Sequence, residues 1–371
     1  MGSEIILYGY GLVCFSMILF NLVQSRVLRH NDAQLYRQSQ VLEQLMTRQF
    51  ARIEQQQPAE EQHFQQLERM LLQLRNLLAF DRLLEHAEIT IRNTEFSEYL
   101  RRLQPLLTRL ARVYTKRESI QLAYFAHFIT KHRMIMEVRN QEIQQHMLLC
   151  IQQENLYCRV NGFRALCAFG AQESVVEGLR IIDASNVFFH SKLLTELLLS
   201  YTGDPLALID TLLKLRPTFQ IETQVALLNF IRFKTGDYCQ QFQKILLDES
   251  ENKELRLAAV RYFGKYRYMP IVQTLVQLVT QEDPVHWEYA SIAASSLARY
   301  EGDHVISALT KAMSSEQWYV RYNAANSLKA KRLEYEDLIE VVHTGDRYAR
   351  EMVMYRLLAR EQEESMEGGH R

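Results

Sequence analysis

Turn-forming and strand-breaking residues are scarce in this chain. It has only 13 glycines and 6 prolines in 371 residues, while Leu, Gln, Glu, Arg and Ala are abundant. Strands joined by tight turns need far more such punctuation, so the composition points to helices. Charge of one sign is also lacking, with 43 basic against 44 acidic residues. A near-neutral chain makes no global field that gathers nucleic acid, and no nucleic-acid partner is expected. The five cysteines, Cys14, Cys150, Cys158, Cys167 and Cys239, form no CxxC pair and no Cys/His set at zinc spacing. They read as reduced, mostly buried thiols in a cytosolic domain.

Recognisable catalytic motifs are missing too. There is no P-loop, GxGxxG, GxSxG or HExxH, which removes the familiar nucleotide, hydrolase and zinc-protease chemistries. His127 and His132 lie five residues apart with no acidic or cysteine partner at ligand spacing, so no metal is expected there. Glu249, Glu251 and Glu254 fit a loop and helix start, where acids favour the helix dipole. The expectation is a protein with no catalytic residues, no cofactor and no metal.

What is present begins with a long apolar run. Residues 5–23 carry no charge, and as a helix they would span roughly 28 Å, about the thickness of a hydrocarbon core. No basic region precedes the run and no small-residue cleavage pattern follows it, so a retained anchor is expected rather than a signal peptide. Arg26, Arg29 and His30 follow at once, which by the positive-inside rule puts the rest of the chain in the cytoplasm and the N-terminus outside, at the inner membrane of a cell.

Residues 26–92 read as a juxtamembrane helical stalk broken near Pro58. Within it Phe64, Leu67, Leu71, Leu74 and Leu78 alternate by three and four. That seam either packs on the domain that follows or pairs with another helix, leaving self-association through 64–78 open.

The remainder repeats. Arg159, Ser191, Thr223, Arg256, Ala290, Arg321 and Arg350 are separated by 32, 32, 33, 34, 31 and 29 residues, and each marks a helix. Three residues on stand Gly162, Leu194, Ala226, Ala259, Ala293, Ala324 and Val353; seven on stand Leu166, Leu198, Phe230, Phe263, Leu297, Leu328 and Leu357. Positions i, i+3 and i+7 share one helical face, so each helix presents the same buried stripe. Second amphipathic segments at 175–182, 206–215, 242–247, 271–279, 305–313 and 338–343 complete helical hairpins, with breakers such as Gly203-Asp204-Pro205 and Gly302-Asp303 between elements. Segments 99–114 and 120–132 suggest an earlier hairpin. A hairpin cannot bury its own face, but a stack can.

The strings WYVRYNAANSL at 318–328 and ELRLAAVRYFG at 254–264 resemble the second helix of HEAT repeats, particularly the short bacterial kind. The resemblance is clearest over 253–358. It implies an all-α, HEAT-type α-solenoid of about seven to eight hairpins across residues 93–360, behind an anchor at 1–25 and the stalk, with a polar tail at 361–371. It further implies that the second helices line a concave surface that holds a protein partner, and it brings to mind bilin lyases, which the anchor and the missing cysteine site fit poorly.

Arg256, Arg321 and Arg350 are expected to pair with acids or carbonyls of nearby hairpins, with Asp283, Asp303, Asp346 and Glu316 as acceptors. Trp, Tyr and Arg are the usual interface anchors, and from the aromatic and basic run late in the chain Arg261, Tyr262, Arg267, Trp287, Trp318 and Tyr322 are selected as partner-binding residues. The reading is a membrane-anchored cytoplasmic scaffold for an integral membrane protein, in one case an accessory subunit of a glycosyltransferase or a polysaccharide synthesis or export system.

Overall fold

A computed structural model describes residues 15–20, 40–91, 94–132, 140–185, 187–281, 285–331, 347 and 350. No strand occurs among them. The chain divides into two compact units, 1–181 and 182–371.

The first unit opens, in its described part, with a helical stretch at 15–20 whose large apolar residues are all exposed. Helix α1 covers 40–54. It is followed by α2 (Glu61–Leu71), α3 (Leu74–Thr90), α4 (Thr94–Tyr114), α5 (Ser119–Lys131), α6 (Gln141–Ile151), α7 (Leu156–Phe169) and α8 (Gln172–Asp183), which ends at the division. The second unit holds α9 (Ser191–Leu199), α10 (Pro205–Leu215), α11 (Ile221–Lys234), α12 (Cys239–Leu247), α13 (Lys253–Lys265), α14 (Val272–Thr280), α15 (Trp287–Ser296), α16 (Asp303–Ala312) and α17 (Trp318–Ala330).

The repeat register is built as the spacing predicts. Among the described residues of the seventh position, Leu166, Leu198, Phe230, Phe263 and Leu297 are 0 % exposed and Leu328 2 %. The small residues three positions in let neighbouring helices approach closely. A Cβ added to Gly162 would sit 3.0 Å from the Met147 carbonyl oxygen. Val353, Leu357 and the segment 338–343 lie outside the described residues. In the second unit α9, α11, α13, α15 and α17 pack in sequence, and α12, α14 and α16 each pair with the helix that follows.

Polar side chains tie this stack together on the buried side. Thr195 Oγ1 donates to the Ala226 carbonyl at 3.2 Å, Ser296 Oγ to Val260 at 3.0 Å and Ser327 Oγ to Ala294 at 2.7 Å. Each bond gives a buried hydroxyl an acceptor on the neighbouring helix, where an unpaired one would be costly.

A second series of bonds runs along the helix C-termini, whose last carbonyls have no partner within the helix. Lys234 Nζ reaches the Leu199 carbonyl at 3.4 Å and Lys265 Nζ the Phe233 carbonyl at 3.2 Å. Arg299 donates to the Lys265 carbonyl, and Lys331 to those of Ala298 and Tyr300. A cation there also complements the negative helix end.

Residues 40–91 are not a free stalk. Arg109 holds Glu68 through two bonds of 2.7 Å, Tyr114 donates to the Leu71 carbonyl at 3.0 Å, and Phe50 meets Phe96 and Tyr99 edge-on. The continuous seam expected over 64–78 is interrupted, because the helix breaks at Leu72–Gln73. Phe64, Leu67 and Leu71 are already buried at 6, 0 and 0 %, and Leu78 is 38 % exposed. Those buried leucines therefore leave no open seam for a second chain.

Among the described residues no helix is long and apolar enough to cross a membrane. The expected anchor at 5–23 lies outside them except for 15–20, as does the tail at 361–371. Cys150, Cys158 and Cys167 are free and buried, and Cys239 is free and partly buried; Cys14 lies outside the described residues.

Candidate partner-binding site

Helices α15 and α17 each begin with a tryptophan, Trp287 and Trp318, one repeat apart. Side chains at a helix start lean back over the preceding turn, which puts both rings at the edge of the stack formed by the loops into these helices. There Trp287 stacks on Tyr319 with centroids 5.7 Å apart and planes at 13°. Tyr319 meets Trp318 edge-on at 5.0 Å, and Trp318 stacks on Tyr322 at 4.8 Å and 18°. The result is a ridge of four rings over two repeats.

Trp318 is 49 % and Tyr319 57 % exposed, although each could bury a large area in a contact. Beside the ridge runs a cleft of about 370 Å³ between the ends of α14 and α16 and the starts of α15 and α17. Val279, Ala290 and Val320 give it apolar walls, and Lys311 and Glu316 supply one charge of each sign.

The structure brings together three of the six selected residues, Trp287, Trp318 and Tyr322. Tyr262 does not belong with them: it is 0 % exposed, stacks on Phe242 at 3.8 Å, and its hydroxyl accepts the Tyr238 N–H at 3.1 Å. It is core, because its polar end has an internal partner. Arg267 lies on the loop after α13 and pairs with Glu301 at 3.6 Å, both well exposed. Arg261 lines a different cleft. Tyr319, outside the selected set, sits between the two tryptophans; its signal was the repeat itself, since it stands one period of 32 after Trp287.

The motif arginines bond carbonyls of their own hairpins. Arg159 Nε donates to the Gln153 carbonyl at 2.6 Å, Arg256 Nε to Leu246 at 3.1 Å, and Arg321 to Ser315 at 2.6 Å and Glu316 at 3.2 Å. They fasten the turn between the two helices of a repeat. The Glu316 contact is through its backbone carbonyl and not its carboxylate. Asp283 and Asp346 lie outside the described residues, while Arg350 is described only as helical and exposed.

The second cleft, about 530 Å³, is lined only by second helices of successive hairpins and the residue that caps the first of them: His190, Lys192 and Glu196 on or before α9, Glu222, Asn229, Arg232 and Phe233 on α11, Glu254 and Arg261 on α13. Arg232 and Arg261 are both partly buried. Burial lowers the pKa of each; the positive charge of Arg261 lowers that of Arg232 further, while the Glu254 charge partly offsets burial at Arg261. Arg232 Nε is buried with no hydrogen-bond partner, and its guanidinium lies 4.7 Å over the Phe233 ring.

In the first unit His132, which has no acid at ligand spacing in the sequence, meets two in the fold. Its Nε2 lies 2.7 Å from Asp81 and its Nδ1 3.1 Å from Glu88, while Asp81 also accepts from Tyr124 at 2.6 Å and pairs with Lys131 at 2.9 Å. Burial opposes a charge on the ring, but the bonds to Asp81 and Glu88 raise its pKa. Sequence spacing hid this because the acids lie on α3, 44 and 51 residues away. Among the described residues no group of three or more His, Cys, Asp or Glu is arranged to hold a metal ion.

Residues 241–329, running from α12 into α17, match the family model for HEAT repeats. This segment is thus similar to HEAT repeats, modules that generally mediate protein–protein interaction and scaffolding. No curated protein matches the chain.

Proposed function

We propose that the protein is a non-catalytic adaptor, held at a membrane through residues 5–23, whose helical repeats bind an integral membrane enzyme or complex on the cytoplasmic side. The ridge of Trp287, Tyr319, Trp318 and Tyr322 carries the reading. Exposed stacked aromatics beside an apolar cleft are the composition and shape of an interface centre, where Trp and Tyr dominate binding energy. The anchor draws support from 15–20, where Phe15, Met17, Ile18, Leu19 and Phe20 are 52–65 % exposed around every side of the helix, an arrangement that lipid solvates and water does not. Anchoring would confine the adaptor and its partner to one plane and raise their effective concentration. A membrane glycosyltransferase or a polysaccharide synthesis or export system is one such partner.

The test is affinity capture of the tagged full-length protein from its native membrane in mild detergent, with mass spectrometry, beside Trp318→Ala and Tyr319→Ala. A stoichiometric membrane protein, weakened by roughly 30-fold or more in each variant while their thermal unfolding matches that of the parent, is the expected result. A partner held equally by both variants removes the ridge; recovery of the protein in the soluble fraction removes the anchor.

A further inference from the structure

We propose that the cleft between α9, α11 and α13 is a carboxylate-binding site, in which Arg232 and Arg261 clasp an acidic side chain of the partner protein. This rests on the partner-binding reading and deepens it, since the site lies apart from the aromatic ridge and reads a different chemistry.

Three observations carry it. The first is an imbalance of pairing. Glu222 Oε2 is taken by the Ser191 N–H at 3.0 Å, and Glu254 sits in the first turn of α13, beside the capping residue Asn252. Neither arginine makes an ion pair or hydrogen bond with these acids. Two partly buried guanidinium groups thus line one cleft without an ion pair, although the Glu254 charge offsets part of the burial of Arg261, and the buried Nε of Arg232 lacks an acceptor. A buried guanidinium nitrogen without an acceptor costs stability, and a ligand oxygen placed between the two arginines would supply one.

The second observation is geometry. Arg232 is in the last turn of α11 and Arg261 in the second half of α13, so the two planar forks approach one space from adjacent helices. Planar forks match carboxylate oxygens in pairs. Asn229 stands one turn before Arg232 on the same wall and adds a neutral donor.

The third is the rest of the lining. Glu196, Glu222 and Glu254 border the cleft together with Lys192, so its charges nearly balance, and each added negative charge on a ligand is repelled more, which favours a singly charged side chain over a doubly charged phosphate. Leu199, Val225 and Phe233 provide apolar wall beside them, and Phe233 is 48 % exposed. Such a wall suits the methylene stem and neighbours of a Glu or Asp in a peptide segment. A volume of about 530 Å³ holds several side chains, more than a lone ion needs.

The experiment uses the full-length protein in detergent and a fluorescein-labelled hexaglutamate peptide, read by fluorescence anisotropy, with hexalysine as the opposite-charge control. Expected are saturable hexaglutamate binding that weakens with salt, a loss of about tenfold or more in Arg232→Gln and in Arg261→Gln, and a smaller loss in Arg261→Lys, which keeps the charge but not the fork. Trp318→Ala should bind the peptide as the parent does. Because each glutamine variant relieves repulsion, its melting temperature should equal or exceed that of the parent, so lost binding is not lost folding. Equal affinity in the parent and Arg261→Gln, or no hexaglutamate binding at all, overturns the proposal while leaving capture through the ridge standing. Displacement of the peptide by inorganic phosphate at lower concentration than by glutarate overturns the assignment to carboxylate.

Discussion

Two histidines in the first unit should give its stability opposite slopes on either side of about pH 6.5. His63 on α2 is 3 % exposed; its Nε2 lies 3.0 Å from the Tyr99 hydroxyl, and its Nδ1 is buried without a partner. Burial, and then the nearby Arg102 guanidinium, push its pKa down to about 4 from an ordinary 6.5. The unfolded chain therefore binds the proton more readily. The stability is complete above pH 6.5 and is lost as pH falls toward 4, by roughly 3 kcal/mol for a difference of that size. His132 has the reverse sign. Its pKa is raised above 6.5 by the bonds to Asp81 and Glu88, which overcome burial, so its contribution is complete below 6.5 and fades as pH rises through the folded value. The unit should be most stable near the crossing.

The assay is urea unfolding of the full-length protein, followed by hydrogen-exchange mass spectrometry of peptides from α2 and α5, at about pH 4, 6.5 and 8.5. His63→Leu should flatten the acid side alone. His132→Gln should flatten the alkaline side and cost about 1–3 kcal/mol at pH 6.5, because the buried Asp81 and the half-buried Glu88 each lose a partner, with Lys131 and Tyr124 still holding Asp81. A wild-type unit equally stable at pH 4 and 6.5, or an acid loss that survives His63→Leu, refutes the argument.

Other expectations concern the repeat. A Cβ on Gly264 would lie 2.7 Å from Ser296 Oγ and 3.3 Å from its Cα, so Gly264→Ala should destabilise the second unit by about 1–3 kcal/mol; adding Ser296→Gly should recover part of that loss in urea unfolding. Phe263→Ala, at a fully buried seventh position, should cost about 3–5 kcal/mol by the same measurement. Lys265→Met removes the cation on the Phe233 carbonyl and should cost about 1 kcal/mol or less, with the difference shrinking in high salt. Tyr262→Phe leaves the Tyr238 N–H without its acceptor and should cost about 1–3 kcal/mol without altering partner capture.

The parts of this fold that could be read in advance are those that recur. One apolar stripe returning every 32 or so residues marked the buried faces of α7, α9, α11, α13, α15 and α17, because a helix has only one way to present positions i, i+3 and i+7. Single events were harder. The seam at 64–78 reads as continuous because nothing in Leu72–Gln73 breaks a helix by chemistry; at the break Tyr114 of α4 donates to the Leu71 carbonyl and Asn76 to that of Met70. Of the residues selected for partner binding, the two tryptophans start second helices of successive repeats and Tyr322 stacks on Trp318 one turn further along α17. Tyr262 shares their chemistry but points inward, and the difference lies in an acceptor site for a backbone N–H 24 residues earlier. Arg232 carried no sequence mark, since its interest comes from what fails to stand opposite it.

The cations along the helix C-termini of the second unit also impose a direction in time. Every donor follows its acceptor in the chain: Lys234 completes the helix ending at Leu199, Lys265 the one ending at Lys234, Arg299 the one ending at Lys265, and Lys331 the turn that closes α15. On a ribosome each repeat therefore emerges with its final carbonyls bare and is finished only when the next has been synthesised. Shortening the protein from its far end strips a cap from whichever helix becomes last, whereas shortening it from the near end removes acceptors and leaves their donors in water, where a lysine is content.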